Sequence, residues 1–365
     1  MNPKKELIIF IPSIEDGGVE KNLYLISNYL SKKIKNIGLI TASKDKNWKF
    51  SKNISYITPR SIFWQNRNRK YKTLICLIIL IKKIIFNKNI LVFSFQANIY
   101  ALIIAKLFKI KIIVRSNTAP AGWNKNLFKK IIFKFFYKKA DLVIVNSKYF
   151  QKQMNDELGI DSVCIYNPLD VHLIKKKVAK KIKLNFFQKN TLNLINVGRL
   201  TNQKDQITII KAINLIKDSI KLKLLIIGKG NELCSLNKYI TTHNLTKLVK
   251  CVGYKTNPYP YIKKSDIFIL SSLYEGLPNV LLETIFLKKF IISSDCPTGP
   301  YEIIQKNKYG KLFPMKDYRA LAKLILKYKS YYKNKKTLDK AFKSLERFDF
   351  KINCEKYYKL TKNFL

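Results

Sequence analysis

Residues 271–283 read Ser271-Ser272-Leu273-Tyr274-Glu275-Gly276-Leu277-Pro278-Asn279-Val280-Leu281-Leu282-Glu283. The apolar run Ile267 to Leu270 before them predicts a strand, and Val280 to Leu287 predicts a helix buried on most sides. Glu283 is an acid inside that apolar helix, a costly placement unless something pairs with it, and a ligand hydroxyl is one such partner. Pro278 suits the first helical turn, which would leave the backbone N–H groups of Asn279, Val280 and Leu281 pointing out of the helix end toward an anion such as phosphate. Glu275 lies just before that end, beside the same anion.

Outward from this stretch, short apolar runs alternate with helical patterns, the signature of parallel sheets covered by helices. Strands are predicted at Leu7 to Ile11, Ile37 to Thr41, Ile54 to Ile57, Ile90 to Phe95, Ile110 to Val114, Leu142 to Val145 and Val163 to Tyr166, with helices such as Glu20 to Ser31, Tyr71 to Phe86 and Leu127 to Lys138 between them. The alternation restarts with strands at Leu192 to Val197, Leu222 to Ile227, Leu248 to Val252, Ile267 to Leu270 and Phe290 to Ser293. Two sheets follow, hence a first domain over residues 1–170, a lysine-rich linker over 171–190, a second domain over 191–345, and a final helix over 346–365 that packs back toward the first domain.

A chain of 365 residues with 47% hydrophobic and 13% aromatic residues can fill two cores. The six cysteines show no C-x-x-C or Cys/His cluster, so neither zinc nor a disulfide framework is indicated, and a reducing cytoplasm fits. The apolar run at the start is too short for a signal peptide. A formal charge of +47 would raise nucleic acid first, but only seven of the 70 basic residues are Arg, a whole-chain bias rather than a selected reading surface. Denser clusters are Arg60, Arg67, Arg69, Lys70 and Lys72, then Lys82 and Lys83, then Lys125, Lys129, Lys130, Lys134, Lys138 and Lys139. Interleaved with Phe128, Ile131, Ile132, Phe135 and Phe136 at helical spacing, they suit adsorption to anionic lipid headgroups, and equally suit core helices of a lysine-rich chain.

In open parallel sheets, ligands bind at the carboxyl ends of the strands, and the unusual polar residues of this sequence gather there. The strand ending at Val197 runs into Gly198-Arg199-Leu200-Thr201-Asn202-Gln203-Lys204-Asp205, where Arg199 as a fork and Lys204 as a point charge would converge on one diphosphate. The next strand ends at Gly228-Lys229-Gly230, a turn permitting close backbone approach but lacking the third glycine of a dinucleotide fingerprint, which argues against a nicotinamide cofactor. The strand after it ends at Val252-Gly253-Tyr254, where a flat base would lie against backbone and ring.

Gly198-Arg199-Leu200 with Gln203-Lys204-Asp205, the Gly228-Lys229-Gly230 turn, the stretch from Glu275 to Glu283, and Ser294-Asp295-Cys296-Pro297-Thr298-Gly299-Pro300 with Glu302 together resemble glycosyltransferase family 4, a family of retaining enzymes of GT-B fold. Gly17-Gly18-Val19-Glu20 resembles the family's N-terminal glycine loop, and residues 140–147 with Asn167-Pro168-Leu169-Asp170 resemble its first-domain end. The Asp-Cys-Pro-Thr-Gly-Pro variant is similar to subgroups that build lipopolysaccharide, capsule and lipid-linked oligosaccharides.

The resemblance implies a GT-B architecture of two Rossmann-like domains with parallel sheets facing a central cleft, the first on the acceptor side and the second binding a nucleotide sugar. It implies that Arg199 and Lys204 hold the donor diphosphate and stabilise the leaving group, that Glu275 orients the transferred sugar, and that Glu283 accepts hydrogen bonds from ribose hydroxyls. Tyr254 with Gly253 would frame the base, while Gly228, the amides of Asn279, Val280 and Leu281, and the Gly17-Gly18 loop would complete the phosphate cradle. No cofactor or divalent metal is expected, the cations standing in for it. The implied partners are a nucleoside diphosphate sugar, with uridine as base, a lipid-linked or polysaccharide acceptor and an anionic membrane surface, without nucleic acid, for a protein peripheral to the inner face of the cell membrane. Many relatives carry a histidine facing the donor sugar, but the two histidines here, His172 and His243, lie on no matching strand end. The corresponding segment is Arg115-Ser116-Asn117-Thr118, so Arg115 or Asn117 would serve the sugar, with Ser94, Gln96 and Asn98 as further acceptor-side candidates.

Three rival classes stay in view. A glycoside hydrolase would use two carboxylates, but has no need of a phosphate clamp. A non-catalytic basic protein binding membranes or nucleic acid would not need the base-and-phosphate constellation. A sugar-nucleotide epimerase of similar architecture would convert the donor without an acceptor.

Overall fold

The computed structural model describes residues 5–15, 17–43, 49–117, 127–328 and 335–365. Thr118, Lys125 and the side chains of Phe128, Lys129 and Lys130 lie outside that description. The chain splits into two compact units, Met1–Pro168 with Phe348–Leu365, and Leu169–Arg347.

The first unit is built on β1 (Glu6–Phe10), β2 (Ile37–Ile40), β3 (Ile54–Ile57), β4 (Ile90–Ser94), β5 (Lys111–Arg115), β6 (Leu142–Val145) and β7 (Val163–Cys164). They form one parallel sheet in the order β3-β2-β1-β4-β5-β6-β7, with Ile9 in register with Leu39 on one side and Phe93 on the other. Both faces of the central strands are covered, which is why β1, β2 and β4 read as nearly unbroken apolar runs. Ile8, Phe10, Val92, Ile112 and Val114 pack under helices Arg69–Phe86, Asn98–Leu107 and Leu127–Tyr137. The alternate residues Leu7, Ile9, Leu91, Phe93 and Ile113 pack with Leu23 and Ile26 of helix Gly18–Leu30 and with Cys354 and Tyr357 of helix Phe350–Lys362, the end of the chain.

The second unit holds β8 (Leu192–Val197), β9 (Leu222–Ile227), β10 (Val249–Cys251), β11 (Ile267–Leu270), β12 (Phe290–Ser294) and β13 (Lys311–Phe313). This sheet is also parallel, in the order β10-β9-β8-β11-β12-β13. One of its faces packs against Ile209 and Ile213 of helix Gln206–Ile216, Leu236 and Ile240 of helix Leu233–Thr242, and Leu321 and Ile325 of helix Tyr318–Leu326. The fold class is therefore the expected pair of parallel-sheet α/β units. Segment 171–190, read as a linker, opens with helix Val171–Val178, started by the Asp170 carboxylate accepting from the Leu173 amide at 2.9 Å.

In each sheet the strand order reverses once, between β1 and β4 in the first unit and between β8 and β11 in the second. At these switch points the loops leaving neighbouring strands diverge to opposite faces and open a crevice at the carboxyl ends.

Candidate functional site

Lys204 and Glu275 lie on the two sides of the second switch point, in the loops that leave β8 and β11. The Lys204 ammonium is ion-paired with Glu275 Oε1, and the two side chains are only 17% and 9% exposed. Ser272 Oγ donates to the same carboxylate oxygen at 2.6 Å. The pairing satisfies a nearly buried acid and a nearly buried base at once, the condition under which either is tolerated in an interior.

Backbone and hydroxyl bonds lace the surrounding loops together. The Leu273 amide donates to the Gln203 carbonyl at 2.8 Å, Gln203 Nε2 to the Tyr274 carbonyl at 2.9 Å, and Ser271 Oγ to the Lys204 carbonyl at 2.8 Å. From the loop after β12, Thr298 Oγ1 donates to the Glu275 carbonyl at 2.5 Å and also reaches that of Gly276 at 3.1 Å, while Ser294 Oγ donates to the Ser272 carbonyl at 2.6 Å. Thr298 holds φ 85° and ψ −108°, a backbone state that a β-branched residue adopts only where its surroundings enforce it, at a cost of about 1–3 kcal/mol. On the other side of β8, the Leu200 amide donates to the Lys229 carbonyl and the Gly228 amide to the Gly253 carbonyl, at 2.9 and 3.0 Å. Tyr259, on the helix that follows the β10 loop, points its hydroxyl at Glu283 Oε1 at 3.4 Å. The five strand-end loops after β8, β9, β10, β11 and β12 thus form one bonded network.

The sequence-predicted residues of this half fall within it, with changes of reading. Arg199 is exposed, and the Lys204 ammonium is already paired with Glu275. Leu281 is not an open amide, because its N–H donates to the Pro278 carbonyl at 3.0 Å; Asn279 and Val280 are half-buried in the same turn. Pro278 itself is the N-cap residue, one place before the helix Asn279–Phe286 begins. The bare Cα of Gly228 serves the protein's own packing, since a Cβ there would run into the Gly198 carbonyl. Glu283 is 6% exposed on that helix, as the sequence placed it. Gly253 has φ 71°, and the Tyr254 ring lies with the Lys229 ammonium 4.8 Å from its centre.

At the first switch point, Gly17 caps helix Gly18–Leu30, and Gln96 Nε2 donates to Glu20 Oε1 at 3.0 Å. Both side chains are buried, and Gln96 Oε1 has no hydrogen-bond partner. Ser94 and Asn98 are joined at 2.8 Å, and Asn98 Nδ2 donates to the Arg115 carbonyl and the Tyr137 hydroxyl, so these polar residues stitch strand ends together. Arg115 corrects the sequence reading. It is wholly buried, with Nε donating to the Tyr357 hydroxyl at 2.9 Å and Nη2 to Asn167 Oδ1 at 2.6 Å. Burial pushes the Tyr357 phenol up even with that guanidinium beside it. Asn117 Nδ2 donates to the Phe95 carbonyl at 2.9 Å, a loop tie as well.

Several residues escaped the sequence. Ser272, Ser294 and Thr298 shape the Glu275 site; Ser272 stood inside the quoted stretch, three places before the acid, and its i to i+3 spacing was the available signal. Asn196 Nδ2 donates to the Ile269 carbonyl at 2.8 Å, bracing β8 against β11, and Gln206 Nε2 donates to the Arg199 carbonyl at 2.9 Å, tying the following helix to the β8 loop; both amides are buried. In the first unit, Lys72 Nζ reaches Ser43 Oγ at 3.1 Å at the carboxyl end of β2, and burial lowers its pKa against the opposing pull of Glu15. Nothing local distinguishes Lys72 from its neighbours among so many lysines. A cavity of about 520 Å³ lined by Phe186, Lys223, Ile240 and Lys247 sits by the amino end of β9, away from the strand-end loops.

Residues 16–173 match the family model described as Glycosyltransferase Family 4, and residues 178–345 the one described as Glycosyl transferases group 1. Among curated proteins, the chain is 33% identical over 220 residues to an uncharacterized glycosyltransferase of Methanocaldococcus jannaschii, a match covering 56% of this chain and 53% of that protein. It is 29% identical over 361 residues, 93% of this chain and 96% of the other, to the N-acetylgalactosamine-N,N'-diacetylbacillosaminyl-diphospho-undecaprenol 4-alpha-N-acetylgalactosaminyltransferase of Campylobacter jejuni. The solved structure of Anabaena HepE in complex with UDP and glucose superposes with a TM-score of 0.79 at 16% identity, covering 98% of this chain and 99% of that one, a likeness of fold. With the two family models matching successive halves and both sheets in place, the chain belongs to the GT-B glycosyltransferases of the family 4 type.

Proposed function

We propose that this protein is a retaining glycosyltransferase that moves a sugar from a uridine diphosphate sugar to a lipid-linked or polysaccharide acceptor in cell-surface glycan synthesis. The observation that carries this reading is the Lys204–Glu275 pair at the second switch point, set in a network of five strand-end loops. A cation there suits a diphosphate, and a fixed carboxylate beside it suits the hydroxyls of the sugar that the diphosphate carries. The name of the Campylobacter relative, an alpha-transferase acting on a diphospho-undecaprenol substrate, supports the acceptor class, and the UDP complex of the Anabaena protein supports the base.

In this reading Lys204, with exposed Arg199 folding over from the same loop, neutralises the charge that grows on the leaving diphosphate as the glycosidic bond breaks. Glu283 takes the ribose hydroxyls and Tyr254 with Gly253 frames the base. Glu275, held by Lys204 and Ser272, orients the sugar rather than attacking it. The acceptor oxygen then bonds to the anomeric carbon on the face the phosphate leaves, and the departing phosphate oxygen takes the acceptor proton, which preserves the anomeric configuration. Cationic side chains supply the charge stabilisation in this scheme, and no metal is invoked.

The membrane side of the proposal rests on the first unit. Helices Arg69–Phe86, Asn98–Leu107 and Leu127–Tyr137 lie on one face of its sheet and expose Leu74, Ile78, Phe86, Leu107, Ile131 and Phe135, with Phe86 87% and Leu107 74% exposed. Lys70, Lys82, Lys109, Lys138 and Lys139 are exposed on the same segments, and the Lys139 ammonium sits 4.2 Å from the Phe135 ring centre. Apolar side chains ringed by lysines fit an anionic lipid surface. Among the described residues no helix is long and apolar enough to cross a membrane.

One experiment tests donor and membrane together: sugar nucleotides are screened for thermal stabilisation, and the best is assayed for transfer to a diphospho-polyprenol glycan in liposomes. A UDP-sugar should raise the Tm by mass action, and transfer should yield an alpha linkage faster on anionic than on neutral vesicles, with the advantage lost in high salt. Stabilisation by no nucleotide sugar, or an inverted product, rejects the reading.

A further inference from the structure

In the proposed reaction Lys204 faces two anions. Its ammonium is ion-paired with Glu275, and the same ammonium is the group that would receive the donor diphosphate. The carboxylate has little freedom to move aside. Ser272 Oγ holds Oε1 at 2.6 Å, Ser272 is itself wholly buried, and its carbonyl is fixed by Ser294 Oγ. The main chain of Glu275 and Gly276 is clamped by the Thr298 hydroxyl.

A negative charge fixed beside a binding cation weakens that cation's hold on every other anion. While the sugar is attached, its hydroxyls donate to Glu275 and offset the repulsion. After transfer those hydroxyls leave with the product glycan, and the carboxylate and the nucleoside diphosphate then contend for one ammonium. We infer that Glu275 has a second role: it competes with the nucleoside diphosphate product for Lys204 and so hastens product release. In transferases whose turnover is limited by release, this would set the rate. Ser272 is the positioning residue that keeps the competitor in place.

The inference rests on the donor reading above, and UDP binding to the full-length protein separates the two. Glu275→Gln keeps the shape and an oxygen acceptor for Ser272 while removing the charge. It is expected to bind UDP about tenfold more tightly by calorimetry, with a correspondingly slower UDP off-rate in stopped flow, although its turnover falls. In a Lys204→Met background the same substitution is expected to bring no gain. Glu275→Ala removes the same charge by another route and should show the same tightening if the Gln variant fails to fold. Wild-type protein that does not bind UDP overturns the donor reading itself. Wild-type binding with unchanged or weaker binding in both charge-removing variants leaves the donor reading standing and overturns the competition, and a gain that survives Lys204→Met overturns the assignment to Lys204.

Discussion

The two units share an architecture and differ at the same point in it. Where strand order reverses in the first sheet, a buried acid meets a neutral amide: Glu20 accepts from Gln96. Where it reverses in the second, a buried acid meets a cation, Glu275 with Lys204, and a serine reinforces the contact. Parallel sheets with helices on their faces provide a crevice at either place, so the crevice is generic and the side chains set in it are not. A carboxylate with a carboxamide can exchange hydrogen bonds with uncharged hydroxyls; a carboxylate with an ammonium can also hold a phosphate. In the proposed reaction the acceptor belongs to the first unit and the donor to the second.

The strongest way to break that division is to remove each acid. Glu275→Ala should lower kcat by about a hundred- to a thousandfold, the size expected when a group aligned with the reacting centre is lost. Glu20→Gln should leave UDP binding as it was and act through the acceptor, raising its KM by roughly tenfold with a smaller fall in kcat. Steady-state kinetics with both substrates varied would decide it. A Glu20 variant that loses UDP affinity, or one that matches Glu275→Ala in kcat, would mean that the two switch points do not divide the labour.

The contrast was only partly legible in the amino-acid sequence. Twelve strands stood out as short apolar runs, clearest where a strand is buried on both faces, as Leu7 to Phe10 and Leu224 to Ile227 are. β13 did not, being three residues, Lys311 to Phe313, at the edge of its sheet with a lysine at its start. Helix Val171–Val178 was hidden for a similar reason: Ile174 is its one wholly buried residue, and Lys175 and Lys176 point to solvent. Arg115 was misread because a cation at a strand end looks the same whether it faces a ligand or the core, and its partner Tyr357 lies 242 positions along the chain. Lys204 and Glu275 were both read as site candidates, but that they bind each other is a fact of tertiary packing across 71 positions.

A second test uses glycines, one from each region. Gly228 has the Gly198 carbonyl where its Cβ would be, and a backbone atom of a central strand end cannot step aside. Gly228→Ala should therefore unfold the second unit by about 1–3 kcal/mol, visible as a fall in the urea midpoint. At Gly17 the nearest atom to a built Cβ is Glu20 Oε2 at 2.7 Å, the end of a flexible side chain, and the residue's φ of −119° is open to any residue. Gly17→Ala should cost little stability and instead disturb Glu20, showing as a weaker acceptor. Equal stability losses in both variants would erase the contrast between a glycine that packs the fold and one that shapes a site.

The smallest effect comes from another acid near the second switch point. Asp205 follows Lys204 directly, at φ 47°, with Thr208 Oγ1 donating to its carboxylate at 2.7 Å. Burial raises its pKa above the ordinary 3.8, against the weaker opposing pull of the Thr208 hydrogen bond and of Lys316 and Lys211. A raised folded pKa in an acid means that ionisation disfavours the folded state. Relative to the charged form, stability is greatest below pH 3.8 and is lost as pH rises through the folded value. Asparagine tolerates the left-handed backbone, can still accept from Thr208 and carries no charge. Asp205→Asn should thus raise the Tm at pH 7 by on the order of one to three degrees, and the gain should fade as the pH approaches 3.8. Glu275→Gln, which strands a half-buried lysine, should do the reverse and lower the Tm at neutral pH. A scan of both variants across pH would separate an acid held for its charge from one merely tolerated despite it.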